Sequence, residues 1–232
     1  MYSNSSVGYS EASQCPGRRS RAGSKWYAKD RIREIVMQLL GSLLLTTLLS
    51  LEALLLLIAL TPSSEELQKL VAFENAFDLL FTLIEKEGSL SHGSEVIEDC
   101  LSLLANLLRL NISNQSYFRE TGCVKRLAKL LADVNHEQES DEPTPQWTLA
   151  QRDKNIWGLL VIIQLFLVRG GINTPANQMA FWHSGVMEQV LSTAFSQRFS
   201  VNVTSKVCLS IIIPMTLLDS ADLPRHWQHV RT

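Results

Sequence analysis

The side chains most able to do chemistry here are four cysteines and five histidines, and neither set stands at a working spacing. Cys15, Cys100, Cys123 and Cys208 are far apart, with no two at a zinc-binding or redox separation. Cys100 and Cys123 fall inside apolar helical patterns, where a free thiol acts as a small hydrophobe. Such usage fits a reducing, cytosolic compartment. His92, His136, His183, His226 and His229 sit in loops, an acidic insert, a helix start and the tail. His226 and His229 share a segment but lack a carboxylate or thiol at ligand spacing. Glu95, Glu98 and Asp99 read as the acidic first turn of a helix, favoured by its dipole, rather than as an acid–base pair. Gly170-Gly171 reads as a helix stop, and no phosphate-cradling or nucleophile-elbow motif occurs. No catalytic, cofactor-binding or metal-binding residue is assigned, no cofactor is expected, and the chain is read as a non-enzyme whose partner-binding residues are not marked by type or spacing.

The elements that position these residues are helices. Of 232 residues, 46% are hydrophobic and 19% charged, with Leu abundant and Gly and Pro scarce, which favours helix over sheet. A net charge of −2 gives no overall attraction to nucleic acid. The basic cluster Arg18, Arg19, Arg21, Lys25, Lys29, Arg31 and Arg33 lies in a Ser- and Gly-rich segment without apolar periodicity, its arginines not interleaved with stacking aromatics in a folded frame, so a solvated tail is expected over residues 1–28. Sequons occur at Asn4, Asn111, Asn114 and Asn202, but the first thirty residues are polar and form no signal peptide.

From Ile35 to Leu60 the chain is almost entirely apolar. A stretch of about 20 such residues is long enough to cross a bilayer, and the basic residues before it fit a cytosolic N-terminus. Glu52 argues against this, and buried repeat helices are the preferred reading. Thr61-Pro62 breaks the run, and Ser63 or Ser64 caps the next helix ahead of Glu65 and Glu66. Helices are predicted over Glu65–Phe73 and Ala76–Glu87, the latter ended by Gly88, and over Ser94–Leu110. A polar turn at Asn111–Asn114 then leads to Gln115–Glu120 and Val124–Ala132. The acidic, Pro-containing stretch 135–146 is an inserted loop, after which Thr148–Val168 and a short-then-long pair within Ala176–Phe195 resume the pattern. Trp157 and Trp182 are read as packing residues.

The short-then-long pairs repeat. Asn114-Gln115, two residues, Phe118, three residues and Gly122 recurs as Asn177-Gln178, two residues, Phe181, three residues and Gly185. A looser copy runs from Gln68 to Ala76, one residue out of step. The copies lie 46 and then 63 residues apart, the first within the ~40–47 of armadillo and HEAT repeats and the second lengthened by the acidic loop. An all-α armadillo/HEAT-like solenoid is expected over residues 29–206, with a divergent segment at 207–232.

The stretches QKLVAFENAFDLLFTLI from Gln68 and EVIEDCLSLLANLLRLNISNQSYF from Glu95 resemble the globular head of the general vesicular transport factor family. Gln151–Phe195 is similar to the family's fungal branch, and EALLLLIALT from Glu52 matches as well. The resemblance implies an armadillo-like head of a cytosolic protein that tethers vesicles in endoplasmic reticulum-to-Golgi and intra-Golgi transport. It implies peripheral Golgi attachment, protein partners (a Rab-type GTPase, golgins and the SNARE machinery), and parallel homodimers joined by a coiled coil. A single-pass membrane protein spanning 35–60 is the alternative. REIVMQLLGSLLLTTLLSL from Arg33 and the segment after Lys206 depart from the family pattern. One or both are expected to reflect a misread exon boundary or a partial gene model.

Overall fold

The structure, a computed structural model, describes residues 20–43, 47–91, 94–136, 145–168, 170–196 and 199–207. Its contacts divide the chain into Met1–Ile35 and Val36–Thr232. Within the first unit, residues 20–35 are turns of helix α1 (Ser20–Ser42), whose side chains from Lys29 to Ile35 are exposed. Residues 20–28, expected from the sequence to belong to a solvated tail, form the first turns of this helix: Ala22, Lys25 and Ala28 favour helix, and no proline interrupts them. Residues 1–19 lie outside the described residues.

The second unit is an all-α solenoid. Helix α2 (Thr47–Leu60) and a 3-10 turn (Thr61–Ser63) lead into three successive triplets. These are α3 (Glu65–Phe73), α4 (Ala76–Lys86) and α5 (Glu95–Leu108); α6 (Ile112–Glu120), α7 (Cys123–His136) and α8 (Gln146–Phe166); and α9 (Thr174–His183), α10 (Val186–Phe195) and α11 (Val201–Val207). Third helices pack on third helices, α2 on α5 and α5 on α8, while the second helices α4, α7 and α10 form a parallel layer. Each triplet thus buries its apolar stripes against the next, as a solenoid requires. Leu101, Leu104, Leu107 and Leu108 on α5 are all buried, as are Ile156, Leu159 and Ile163 on α8.

Local chemistry sets the joints. Ser64 caps α3 by accepting from the Leu67 N–H at 3.2 Å. Helix α4 ends in paired bonds from Ser89 N–H to Ile84 O (2.9 Å) and Gly88 N–H to Glu85 O (3.3 Å), with Gly88 left-handed at φ 91°. Between first and second helices, the left-handed residue is Gly122 (φ 79°) and Gly185 (φ 74°), and in the first triplet Asn75 (φ 68°). Asparagine tolerates this region better than other side chains. Counted to Asn75 instead of Ala76, the loose copy falls into step, and Gln68, Gln115 and Gln178 each stand seven residues before the joint.

Those glutamines are buried, and so are their neighbours Asn111, Asn114 and Asn177. The expected polar turn at Asn111–Asn114 is instead a cap and a helix start. Asn111 Oδ1 accepts from the Asn114 N–H at 3.1 Å, and its Nδ2 donates to Gln68 Oε1 at 3.0 Å. Asn114 Nδ2 donates to Leu107 O (2.8 Å) and Gln68 O (3.1 Å), and Gln115 Nε2 donates to Leu108 O (3.0 Å). Asn177 Nδ2 donates to Phe166 O at 3.0 Å. Side-chain amides thereby satisfy carbonyls that helix C-termini leave without partners. They also bond one triplet to the next.

The apolar run at 35–60 is broken into separate helices. Ala53, Leu54 and Leu57 are buried, in a helix packed on α5. Helix α2 has 14 residues, about 21 Å at 1.5 Å each, against ~30 Å of bilayer hydrocarbon. Among the described residues, no helix is long and apolar enough to cross a membrane.

Candidate interaction surface

The two described cysteines are packing groups. Cys100 is fully buried, and burial first, then the charges of Asp99 and Glu87, push its thiol up to about 12. Burial also raises Cys123, although its contact with Thr121 Oγ1 (3.3 Å) and nearby Arg126 act the other way. Both thiols should resist iodoacetamide in the native protein at pH 8 and react fully after denaturation, as read by peptide mass spectrometry. Fast native labelling of Cys100 would contradict its burial. Cys15, Cys208, His226 and His229 lie outside the described residues, and so does His92. His136 and His183 are exposed and lie on different helices, and no group of three His, Cys, Asp or Glu stands together among the described residues.

The acidic turn of α5 is structural in its contacts. Glu98 accepts from Gln151 Nε2 at 2.9 Å and lies 3.8 Å from Lys154. Burial, then the charges of Glu98 and Glu95, raise the Asp99 carboxyl above its usual range. The native state thus holds the Asp99 proton more tightly than the unfolded chain does, and this group's contribution to stability falls as pH rises through the carboxylate range. Asn111 and Asn114 are buried, so folded protein offers neither sequon to a glycosylating enzyme. Trp157 packs against the core, as read from the sequence, whereas Trp182 is 42% exposed beside the buried Phe181.

Two surface features join neighbouring triplets. On the second-helix layer, the Arg126 guanidinium reaches Asp78 Oδ1 (2.6 Å) and Glu85 Oε2 (3.2 Å) and lies 4.8 Å from the Phe81 ring centroid. On the third-helix layer, α5 and α8 enclose a shallow groove of about 360 Å3. Its floor includes Leu101, Ala105, Trp157 and Val161, with Glu98 and Lys154 at one end and Arg109 at the other. Gly158 allows the close approach: a Cβ there would lie 3.2 Å from Leu101 Cδ1. An apolar floor between charged ends can hold a peptide segment. Its carboxylate, Glu98, is already engaged by Gln151 and Lys154.

Sequence reasoning missed the amide ladder, the Arg126 clamp and this groove, because the contacts that join triplets in them lie more than forty residues apart. The recurring Asn-Gln, Phe and joint Gly positions are the local signal of that alignment.

No family model matches the chain. It is 41% identical over 180 residues to the intracellular protein transport protein USO1 of Saccharomyces cerevisiae, covering 78% of this chain and 9% of that protein. It is 38% identical over 136 residues to the general vesicular transport factor p115 of Rattus norvegicus, covering 57% of this chain and 13% of that protein. A crystal structure of Uso1 superposes with a TM-score of 0.71 at 34% identity, covering 88% of this chain and 29% of that one. The chain thus spans only about a tenth of the length of these two relatives. In sequence and in fold it is homologous to the Uso1 and p115 transport factors, and its solenoid is armadillo-like.

Proposed function

We propose that this homologue of Uso1 and p115 is the head module of a vesicle tether, acting in endoplasmic reticulum-to-Golgi and intra-Golgi transport by binding proteins and not by catalysis. The observation that carries this reading is the 41% identity to USO1 across 78% of the chain, on a shared helical solenoid. Residues 29–206 constitute the module, the acidic stretch 135–146 is an insert, and 1–28 and 207–232 flank it. The third-helix groove between α5 and α8 is its docking site for a protein segment, with the apolar floor supplying contact area and Glu98, Lys154 and Arg109 setting register. A Rab-type GTPase, golgins and the SNARE machinery are the proposed partner classes, and attachment to Golgi membranes is peripheral, from the cytosol.

The test is a chimera. Residues 52–206 of this chain, exchanged for the matching segment of yeast USO1, should restore secretory cargo transport when USO1 itself is depleted. Trp157→Ala with Lys154→Glu in the same chimera should reduce transport without loss of helical content. A stable, normally expressed chimera that leaves cargo in the endoplasmic reticulum would overturn the tether reading. Full transport by the doubly substituted chimera would remove the groove from it.

A further inference from the structure

The links between each third helix and the next first helix occupy equivalent places in successive triplets, so they share one edge of the stack. That edge exposes large apolar side chains: Leu60 before the first link, Leu110 in the second and Ile112 just after it, and Val168 and Ile172 in the third. Leu110 is 91% exposed and Ile172 86%. The third link is held against the first turns of α6, which follow the second link, because Asn173 Nδ2 donates to Ser116 Oγ at 3.1 Å and to Ile112 O at 3.4 Å. Pro62, Arg109 and Leu110 line one depression between the first and second. The apolar tips therefore lie along one edge of the stack.

The turn between α5 and α6 calls for a left-handed residue here, but gives no reason for that residue to be a leucine. Leu110 adopts φ 57°, a left-handed conformation that glycine or asparagine would adopt with less strain. A leucine both strained and almost wholly in water is a feature whose use lies outside the fold. Arg109 stands beside it, exposed, and among the described residues its guanidinium forms no ion pair, whereas Glu65 in the same depression is paired with Lys69 at 2.6 Å.

The shape selects among occupants. A protein partner would need a matching pocket for each protruding tip. The acyl boundary of a lipid leaflet receives any apolar tip without complementary shape, while its phosphates meet an adjacent arginine. We propose that this edge is a lipid-docking surface, in which Leu110 and Ile172 enter the boundary of an anionic leaflet and Arg109 contacts its phosphates. The proposal is independent of the tether reading, since a tether can attach through proteins alone.

Vesicle flotation with the full chain tests it, using phosphatidylcholine vesicles with and without about 30% phosphatidylserine. Wild-type protein is expected to float with the anionic vesicles and to be released by high salt. Leu110→Gly with Ile172→Ser should lower the bound fraction about tenfold, with unchanged circular dichroism and an equal or higher Tm. Arg109→Glu should lower it on anionic vesicles alone. Wild-type protein that stays at the bottom of the gradient overturns the proposal, as does a double variant that floats undiminished. A chain that ignores vesicles but loses a protein partner on the same double substitution would assign the edge to that protein instead.

Discussion

Leu104→Asp is expected to abolish cooperative folding of the solenoid. Leu104 is fully buried at the centre of α5, the helix that packs on α2, α3, α4, α6 and α8. Truncating such a leucine alone costs about 2–5 kcal/mol, and an unpaired carboxylate in the same place adds several more. Together these approach the ~5–15 kcal/mol that holds a domain of this kind folded. Circular dichroism should show reduced helicity at 25 °C, and proteolysis should cut within α5. The control lies six residues away. Leu110→Asp makes the same chemical change at a side chain in water, where surface substitutions move stability by about 0.5 kcal/mol or less. A folded Leu104→Asp protein with native protease resistance would contradict the placement of α5 inside the stack.

That contrast also shows what was legible beforehand. Heptad-like apolar spacing places Leu101, Leu104 and Leu108 on one buried face of α5, and Gly122 and Gly185 mark joints by a backbone need local to each residue. Asn111 and Asn114 read as a turn in the sequence because amides in a short Asn- and Ser-containing stretch are typical of turns. Only the return of α3, more than forty residues earlier, gives Asn111 Nδ2 an acceptor on Gln68. The candidate groove was illegible for the same reason: its walls come from α5 and α8, and nothing around Gly158 in sequence reports Leu101 beside it. The exposure of Leu110 is harder still to read, since a leucine two residues beyond a helical stripe continues the pattern. Its left-handed backbone, set by the cap at Asn111, turns it out.

Phe118→Ala is expected to cost about 3–5 kcal/mol and to make unfolding less cooperative. Its ring lies 5.0 Å from Phe77, 6.0 Å from Phe81 and 5.4 Å from Phe166, and Phe166 lies 5.3 Å from Phe181. The row runs from α4 through α6 and α8 to α9, so it spans both boundaries between triplets. Solenoid stability is approximately a sum of unit stabilities and nearest-neighbour terms. Removing Phe118 therefore weakens a neighbour term as well as its own triplet, and the first triplet should begin to unfold apart from the others. In urea the variant should show a lower midpoint and a broader transition, with protection from hydrogen exchange lost first in α3 and α4. Phe118→Leu keeps most of the volume and should cost roughly 1–1.5 kcal/mol with the transition still sharp. Phe73→Ala is the matching surface control: the Phe73 ring lies 4.9 Å from that of Tyr117, tilted against it, but the residue is 56% exposed, so its loss should be small. If Phe118→Ala shifts the midpoint no more than Phe73→Ala does, the triplets are held together by the amide ladder and the aliphatic stripes, and the aromatic row only fills space.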